Sequence, residues 1–355
     1  MSDLLPGTPT AAEFPGTNRS TSATIPPNIL RSLAVLADED GTDLEPLLAD
    51  SGLDESMLRS PALRVSYRQG AAVIQRALAV TGDEHLGLRV GAVQHPTSWG
   101  LLGFALMAAD TMEHAIQTGV KYQNLSGAML AWSAAWEPEG FVVRVELPDP
   151  ALDPAVAVFL MEEAFGGAVA LTRLTVSPRF TPLRVEFAFT APFDVEQFSR
   201  FFGCPVVFRA AHNRLVFEPA CARTVLPGRD PVVYASVLEL LDSEMAVRRD
   251  RQELLELLEV SIAQALPTVP TFAEQARRRS ASERTLRRRL AECGTTYEQL
   301  VDGVRRERVD LLLHRPELTV RDIAHQAGFS DDRALRRAVR RWHGMGPLEV
   351  RKRLE

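Results

Sequence analysis

The stretch Val320-Arg321-Asp322-Ile323-Ala324-His325-Gln326-Ala327-Gly328-Phe329-Ser330-Asp331-Asp332-Arg333-Ala334-Leu335-Arg336-Arg337-Ala338-Val339-Arg340-Arg341-Trp342 carries the decisive pattern of this chain. Val320, Ile323, Ala324 and Ala327 recur at helical spacing, and Gly328-Phe329-Ser330 then breaks the helix. A second helix follows with Leu335, Ala338, Val339 and Trp342 on one side and Arg333, Arg336, Arg337 and Arg340 on the other. One face requires a core and the other an anion. A short helix, a tight turn and an arginine-faced helix together describe a reader of the DNA major groove. Asp332 is read as the cap of that helix in preference to an acceptor for a cytosine amino group. Arg340 and Arg341, nearer the far end, suit phosphate.

A related pattern lies about fifty residues upstream. Thr271-Phe272-Ala273-Glu274 is a capping box, with Ala276 on the apolar side of a short helix. Ser282 caps a second helix in which Leu286 and Leu290 point inward while Arg284, Arg287 and Arg288 share the outer face. Thr295-Thr296-Tyr297-Glu298 reads as a further capping box. It opens a long helix through Leu300, Val304, Val309 and Leu312 that ends near His314-Arg315-Pro316. Arginines in such numbers are more often a solvated helix face. Two helix-turn-helix patterns joined by a helix of fixed length are far more specific than one.

On these residues the region 270–351 resembles the DNA-binding domain of AraC/XylS-type bacterial transcription regulators. The resemblance rests on Ser282 through Leu290, Gly294-Thr295, Arg305, Ile323-Ala324 with Gly328-Phe329-Ser330, and Trp342-His343-Gly344-Met345-Gly346-Pro347 closing at Arg351. The chain departs from the usual pattern at Arg279-Ser280, where an apolar and then a small residue are common. It departs again at Leu335, Val339 and Val350, where aromatic residues are common.

Charge divides the chain. Residues 246–355 hold 23 Lys and Arg against 17 Asp and Glu, while residues 1–245 hold 17 against 29. The overall net charge of −6 therefore conceals a basic end and an acidic one, and the acidic part is expected to face away from DNA. Only Lys121 and Lys352 are lysines; arginine supplies the planar fork suited to phosphate and guanine edges. Length and 46% hydrophobic residues allow about two domains with substantial cores. Cys204, Cys221 and Cys293 are few and scattered, which suits a reducing compartment. No apolar run is expected to reach membrane-spanning length, and no secretory signal pattern opens the chain. Residues 1–24, rich in Pro, Gly, Ser and Thr, are expected to be disordered, and the chain to be cytoplasmic.

Residues 25–225 read as α+β. Helical patterns run from about Pro27 to Asp38, Ser66 to Val80, Gly100 to Ala109, Thr111 to Gln123, Pro154 to Leu171 and Val195 to Phe202. Strand patterns cover Met129–Trp136 and Phe141–Leu147, joined as a hairpin, then Arg184–Phe189, Val206–Phe208 and Arg214–Phe217. Grouped helices and adjacent strands favour α+β over an alternating parallel sheet. This half resembles the effector-binding domain of those AraC-type regulators that include regulators of ornithine and arginine use. The matching residues are Leu47 through Leu53, Gly82-Asp83, Leu86 through Gly91, Gly100 through Ala105, and Phe201 through Phe208. The resemblance implies ligand sensing and dimerisation, without naming the ligand.

Catalytic patterns are not found. The seven histidines are scattered, with no metal-ligand spacing, and neither a nucleophile elbow nor a phosphate-binding loop is present. Glu162 and Glu163 are adjacent on a helix and point about 100° apart, so they cannot work as a pair; Glu162 is expected to be solvated. Gly87, Gly91, Gly100 and Gly103 suit helix ends or close packing better than a phosphate cradle. Trp99, Phe104, Tyr122, Trp132 and Trp136 are candidates to line an effector pocket, although each alone is more often core. Trp132 and Trp136 are an even number apart and so share a strand face. Glu163, if it points inward, is a candidate anchor for a cationic ligand.

The expected architecture has four parts: a tail (1–24), an effector-binding and dimerisation domain (25–225), a connector (226–245), and an all-α DNA-binding domain (246–355) with two helix-turn-helix motifs joined by a long helix. The expected function is a one-component, sequence-specific transcription regulator without enzymatic activity or cofactor. Its expected partners are double-stranded DNA, an unidentified small-molecule effector, a second copy in a homodimer, and RNA polymerase, with no membrane. The rival is an enzyme fused to a DNA-binding domain.

Overall fold

A computed structural model describes residues 23, 25–127, 129–147, 152–192 and 194–354. The tail expected over 1–24 lies, apart from Ala23, outside the described residues. The chain forms two units, 1–245 and 246–355.

In the first unit five helices come first: α1 (Asn28–Asp40), α2 (Glu45–Leu48), α3 (Glu55–Leu58), α4 (Tyr67–Thr81) and α5 (Leu86–Ala92). A short 3₁₀ turn, Pro96–Trp99, leads to α6 (Leu101–Ala108) and α7 (Met112–Lys121). The hairpin β1 (Ala131–Glu137) and β2 (Gly140–Glu146) follows, then the long α8 (Pro154–Thr175). Then come β3 (Arg184–Glu186), α9 (Val195–Phe202), β4 (Val206–Val207), β5 (Asn213–Phe217) and α10 (Pro219–Ala222). Helix α11 (Pro231–Ala265) starts in this unit and ends in the next. Residues 226–245 belong to the first unit, where Val237 and Leu241 pack with Leu102, Leu106 and Tyr122.

The strands form one sheet in the order β1-β2-β5-β3-β4. All neighbours are antiparallel except β3 and β4. That pair is parallel because α9 carries the chain back across, and parallel neighbours need such a crossover. Phe141, Val143 and Val145 of β2 and Leu215 and Phe217 of β5 point into a core shared with Phe159 and Phe165 of α8. Each such aromatic or aliphatic side chain contributes about 1.5–3 kcal/mol by leaving water. Around Phe187, just past β3, the rings of Phe165, Phe198 and Phe208 lie with centroids 5.2, 5.6 and 5.7 Å away.

Helix α8 corrects one expectation. It is, among the described residues, a helix long and apolar enough by composition to cross a membrane, yet 72% of its most apolar window is buried inside the protein. A helix apolar on every side belongs in a core or a bilayer, and this one is a core helix. It packs on α5 through glycines. A Cβ on Gly87 would meet the Phe159 carbonyl oxygen at 2.3 Å, and one on Gly91 the Glu163 carbonyl oxygen at 2.5 Å. The glycine motif of this region is thus a close crossing of two helices.

The second unit is all-α: the end of α11, then α12 (Phe272–Arg278), α13 (Glu283–Glu292), α14 (Tyr297–Leu313), α15 (Val320–Gln326), α16 (Asp332–His343) and α17 (Pro347–Leu354). Helix α14 holds two small cores together. Leu300 and Val304 pack with Leu258, Ile262, Leu286 and Leu290, whereas Val309, Leu312 and Leu313 pack with Ile323, Leu335, Val339 and Val350.

Candidate nucleic-acid interface and effector cavity

Each helix-turn-helix is set by its caps. Thr271 and Glu274 form a reciprocal capping box on α12, and Thr319 and Asp322 form one on α15. Ser282 caps α13 by accepting from the Thr285 N–H. On α14 the box is Thr296 with Gln299, one residue beyond the expected Thr295 with Glu298. The cap of α16 is Asp331, which accepts from the Ala334 N–H at 2.6 Å; Asp332 instead lies in the first turn, 3.7 Å from Arg336. Gly328 turns the second motif with φ +74°, and a Cβ there would meet the Pro267 carbonyl oxygen at 2.6 Å. The corresponding residue of the first motif, Ser280, adopts φ +50° without being glycine.

Arg284, Arg287 and Arg288 are exposed on α13, and Leu286 and Leu290 on its other side are buried. Arg333, Arg336, Arg337 and Arg340 are exposed on α16, opposite Leu335, Ala338 and Val339. Arg287 lies over the Phe272 ring at 5.3 Å, and Arg288 is 3.7 Å from Glu292. Arg341 pairs with Asp302 at 2.5 Å, and the Trp342 indole N–H donates to the same carboxylate. That guanidinium, expected at phosphate, remains 60% exposed beside Asp302. Arg305 of α14 donates to the Gly328 carbonyl and stacks on Phe329 at 5.1 Å, so it braces the second turn. Arg351 closes α17 onto the carbonyls of Leu313 and Leu318.

The first unit holds a partly open cavity of about 150 Å³ between α7, β1 and α8, lined chiefly by aliphatic side chains such as Leu102, Ile116 and Val120. Of the aromatic candidates, Trp99 and Trp132 line it. Tyr122 is buried elsewhere and its hydroxyl donates to Asp242. Phe104 is 46% exposed on α6. Trp136 is 41% exposed: it donates to Glu113 and lies under Arg223.

Glu163 points into the cavity and is 8% exposed. The Gln94 side-chain amide donates to its Oε1, and the Trp99 indole N–H donates to the Gln94 Oε1 at 3.1 Å. Burial pushes the Glu163 carboxyl up to about 7, partly offset by the Gln94 hydrogen bond. Sequence reasoning missed Gln94, because nothing distinguishes a lone glutamine. Glu162, expected in solvent, is 1% exposed. Burial raises it to about 8, offset in part by the nearby Leu88 backbone N–H, and its Oε1 is buried without a hydrogen-bond partner. The reason is that the middle of α8, from Phe159 to Gly167, is buried on every side, leaving no solvent face there for it to turn to.

A unit with two helix-turn-helix motifs, following in the chain a unit that holds a largely aliphatic cavity, points to a ligand-responsive transcription regulator. Residues 41–226 match the family described as the arabinose-binding domain of AraC transcription regulator, N-terminal, and residues 275–353 match a helix-turn-helix domain family. The chain belongs to the AraC family of transcription regulators, with an effector-binding domain followed by a helix-turn-helix DNA-binding domain. It is 24% identical over 332 residues to the ornithine utilization regulator of Pseudomonas aeruginosa, covering 94% of this chain and 97% of that protein. It is 28% identical over 279 residues to the transcriptional regulator VqsM of the same species, covering 75% and 83%. The crystal structure of the transcriptional regulator CdpR from Pseudomonas aeruginosa aligns over 92% of this chain and 98% of that one, at 23% identity and a TM-score of 0.48.

Proposed function

We propose that the cavity beside Glu163 is the effector site, and that effector binding there governs how two recognition helices engage DNA. In this reading α13 presents Arg284, Arg287 and Arg288 to one major groove. Helix α16 presents Arg333, Arg336 and Arg337 to the next, about one helical turn away. Arg340 touches phosphate. The observation that carries it is the exposure of these arginines on the outer faces of two capped helices whose other faces are buried. The regulator acts as a cytoplasmic homodimer, contacts RNA polymerase, and releases its effector unchanged.

The effector is neither a sugar nor an amino acid in this reading. Polar side chains of the lining, among them Ser126, Gln123, Thr172 and Thr175, bond to the protein's own backbone, which leaves few groups for a ring of hydroxyls, and the described lining holds no cationic side chain for an α-carboxylate. The ornithine in the name of one relative therefore stays with that relative.

Filling the cavity tests the assignment. Ala168 lines it and is small. In a reporter strain whose promoter responds to the full-length chain, Ala168→Phe should abolish the response to inducing extracts while DNA occupancy persists. An undiminished response would place the effector elsewhere.

A further inference from the structure

Glu163 is the sole ionisable side chain among the described residues lining the cavity. Its Oε1 takes the Gln94 amide, and its Oε2 has no protein partner among the described residues. Among the described residues its environment holds no charged partner, only burial and the Gln94 hydrogen bond. A carboxyl group that opens into a largely aliphatic cavity with one oxygen unused is an incomplete site. It can be completed in two ways: as a neutral acid donating to a ligand oxygen, or as a carboxylate receiving a ligand cation.

Gln94 decides between them. An amide can present its carbonyl or its N–H₂ to a carboxyl group, and the two ends favour opposite protonation states. The Trp99 indole N–H occupies the Gln94 carbonyl oxygen, so the donor end is turned to Glu163. Gly167 makes room for this arrangement, since a Cβ there would lie 2.8 Å from the Gln94 Oε1. Two hydrogen bonds in series are thus oriented to support the carboxylate. What the carboxylate lacks is a counter-charge, which is worth more against a largely aliphatic wall than in bulk water.

Resting on the cavity being the effector site, we propose that the effector is a small protonated amine with an apolar body and no acidic group, its ammonium held by Glu163 and its body by the aliphatic lining. The empty site shares its proton between states near neutral pH, because burial lifts Glu163 to about 7. Amine binding therefore releases a proton. Glu162, the neighbouring titratable group, is turned toward Leu88 and does not line the cavity.

The test uses the full-length chain and three probes of matched length: hexylamine, hexan-1-ol and hexanoate. Titration calorimetry should show hexylamine binding about tenfold or more tighter than hexan-1-ol, as expected for a hydrogen bond to a buried charge, with hexanoate weaker than both. Glu163→Gln should erase the amine preference and leave hexan-1-ol within about twofold. Hexylamine affinity should rise between about pH 6 and 8 as Glu163 ionises, and the heat should vary with buffer ionisation enthalpy. Equal or tighter binding of hexan-1-ol or hexanoate overturns the proposal. An amine preference that survives Glu163→Gln, or no hexylamine binding at millimolar concentration, also overturns it. Ala168→Phe separates the two claims. If it blocks a bound alcohol or acid, the cavity stands and the amine falls; if it leaves every bound probe in place, the cavity assignment falls as well.

Discussion

Glu162 and Glu163 are consecutive on α8, are both buried, and serve different neighbours. The first carboxyl group sits against the backbone of Leu88 in α5, the second against the side-chain amide of Gln94. Burial raises both, Glu162 from 4.5 to about 8 and Glu163 from 4.5 to about 7.

The sign of the pH effect follows. An acid whose folded pKa lies above its unfolded value binds its proton more tightly in the folded chain. Its contribution is fully present below about pH 4.5 and is lost as pH rises through about 8 for Glu162. The first unit should therefore lose on the order of a few kcal/mol of stability across that window. Urea unfolding of the full chain at a series of pH values measures this. Glu162→Gln keeps the shape and should flatten most of the slope; an unchanged slope would remove Glu162 as its source.

Gly91 sets how closely α5 approaches α8. Gly91→Ala drives a methyl group into the Glu163 carbonyl and should cost about 1–3 kcal/mol by overpacking. Thermal unfolding should show the loss in the transition of the first unit and leave that of the second unchanged.

Ser280 and Gly328 occupy matching turns with the same left-handed backbone, and only one of them is glycine. Ser280→Gly should stabilise the second unit by about 1 kcal/mol. Gly328→Ala should destabilise it by more than that, because its Cβ also meets Pro267. Denaturant midpoints of the second transition provide the comparison, and a loss on Ser280→Gly would contradict the account of the turn.

Arg305 ties the middle of α14 to the turn before α16. Arg305→Lys retains the charge but loses the flat guanidinium that stacks on Phe329. It should destabilise the unit by roughly 1 kcal/mol, and Arg305→Ala by about 1–3 kcal/mol. Equal stability of all three proteins would mean that the brace contributes nothing.

The DNA-binding half was largely legible in the sequence, because periodicity, caps and arginine spacing all agree there. Its errors were local ties. Asp331 and Asp332 are equally suited to cap α16, and Thr295 and Thr296 each precede an acidic or amide residue by three positions. Only the backbone geometry separates them. The cavity was less legible. Strand alternation puts Trp132 and Trp136 on one face of β1 but does not say which of them ends under α8 and which at the rim. The destination of Tyr122 depends on Asp242, more than a hundred residues away. The burial of Glu162 reflects the packing of a whole helix, which no local pattern reveals.

The central claim is that two arginine faces read two adjacent grooves. Selecting bound duplexes from a random library with the full-length chain tests it most directly. The account predicts two clusters of preferred bases about one helical turn apart. Arg288→Ala should relax preference in one cluster only and Arg337→Ala in the other only, each with a loss of about 1–3 kcal/mol on the selected site. A single cluster, or a uniform loss on selected and scrambled DNA with both variants, would contradict it.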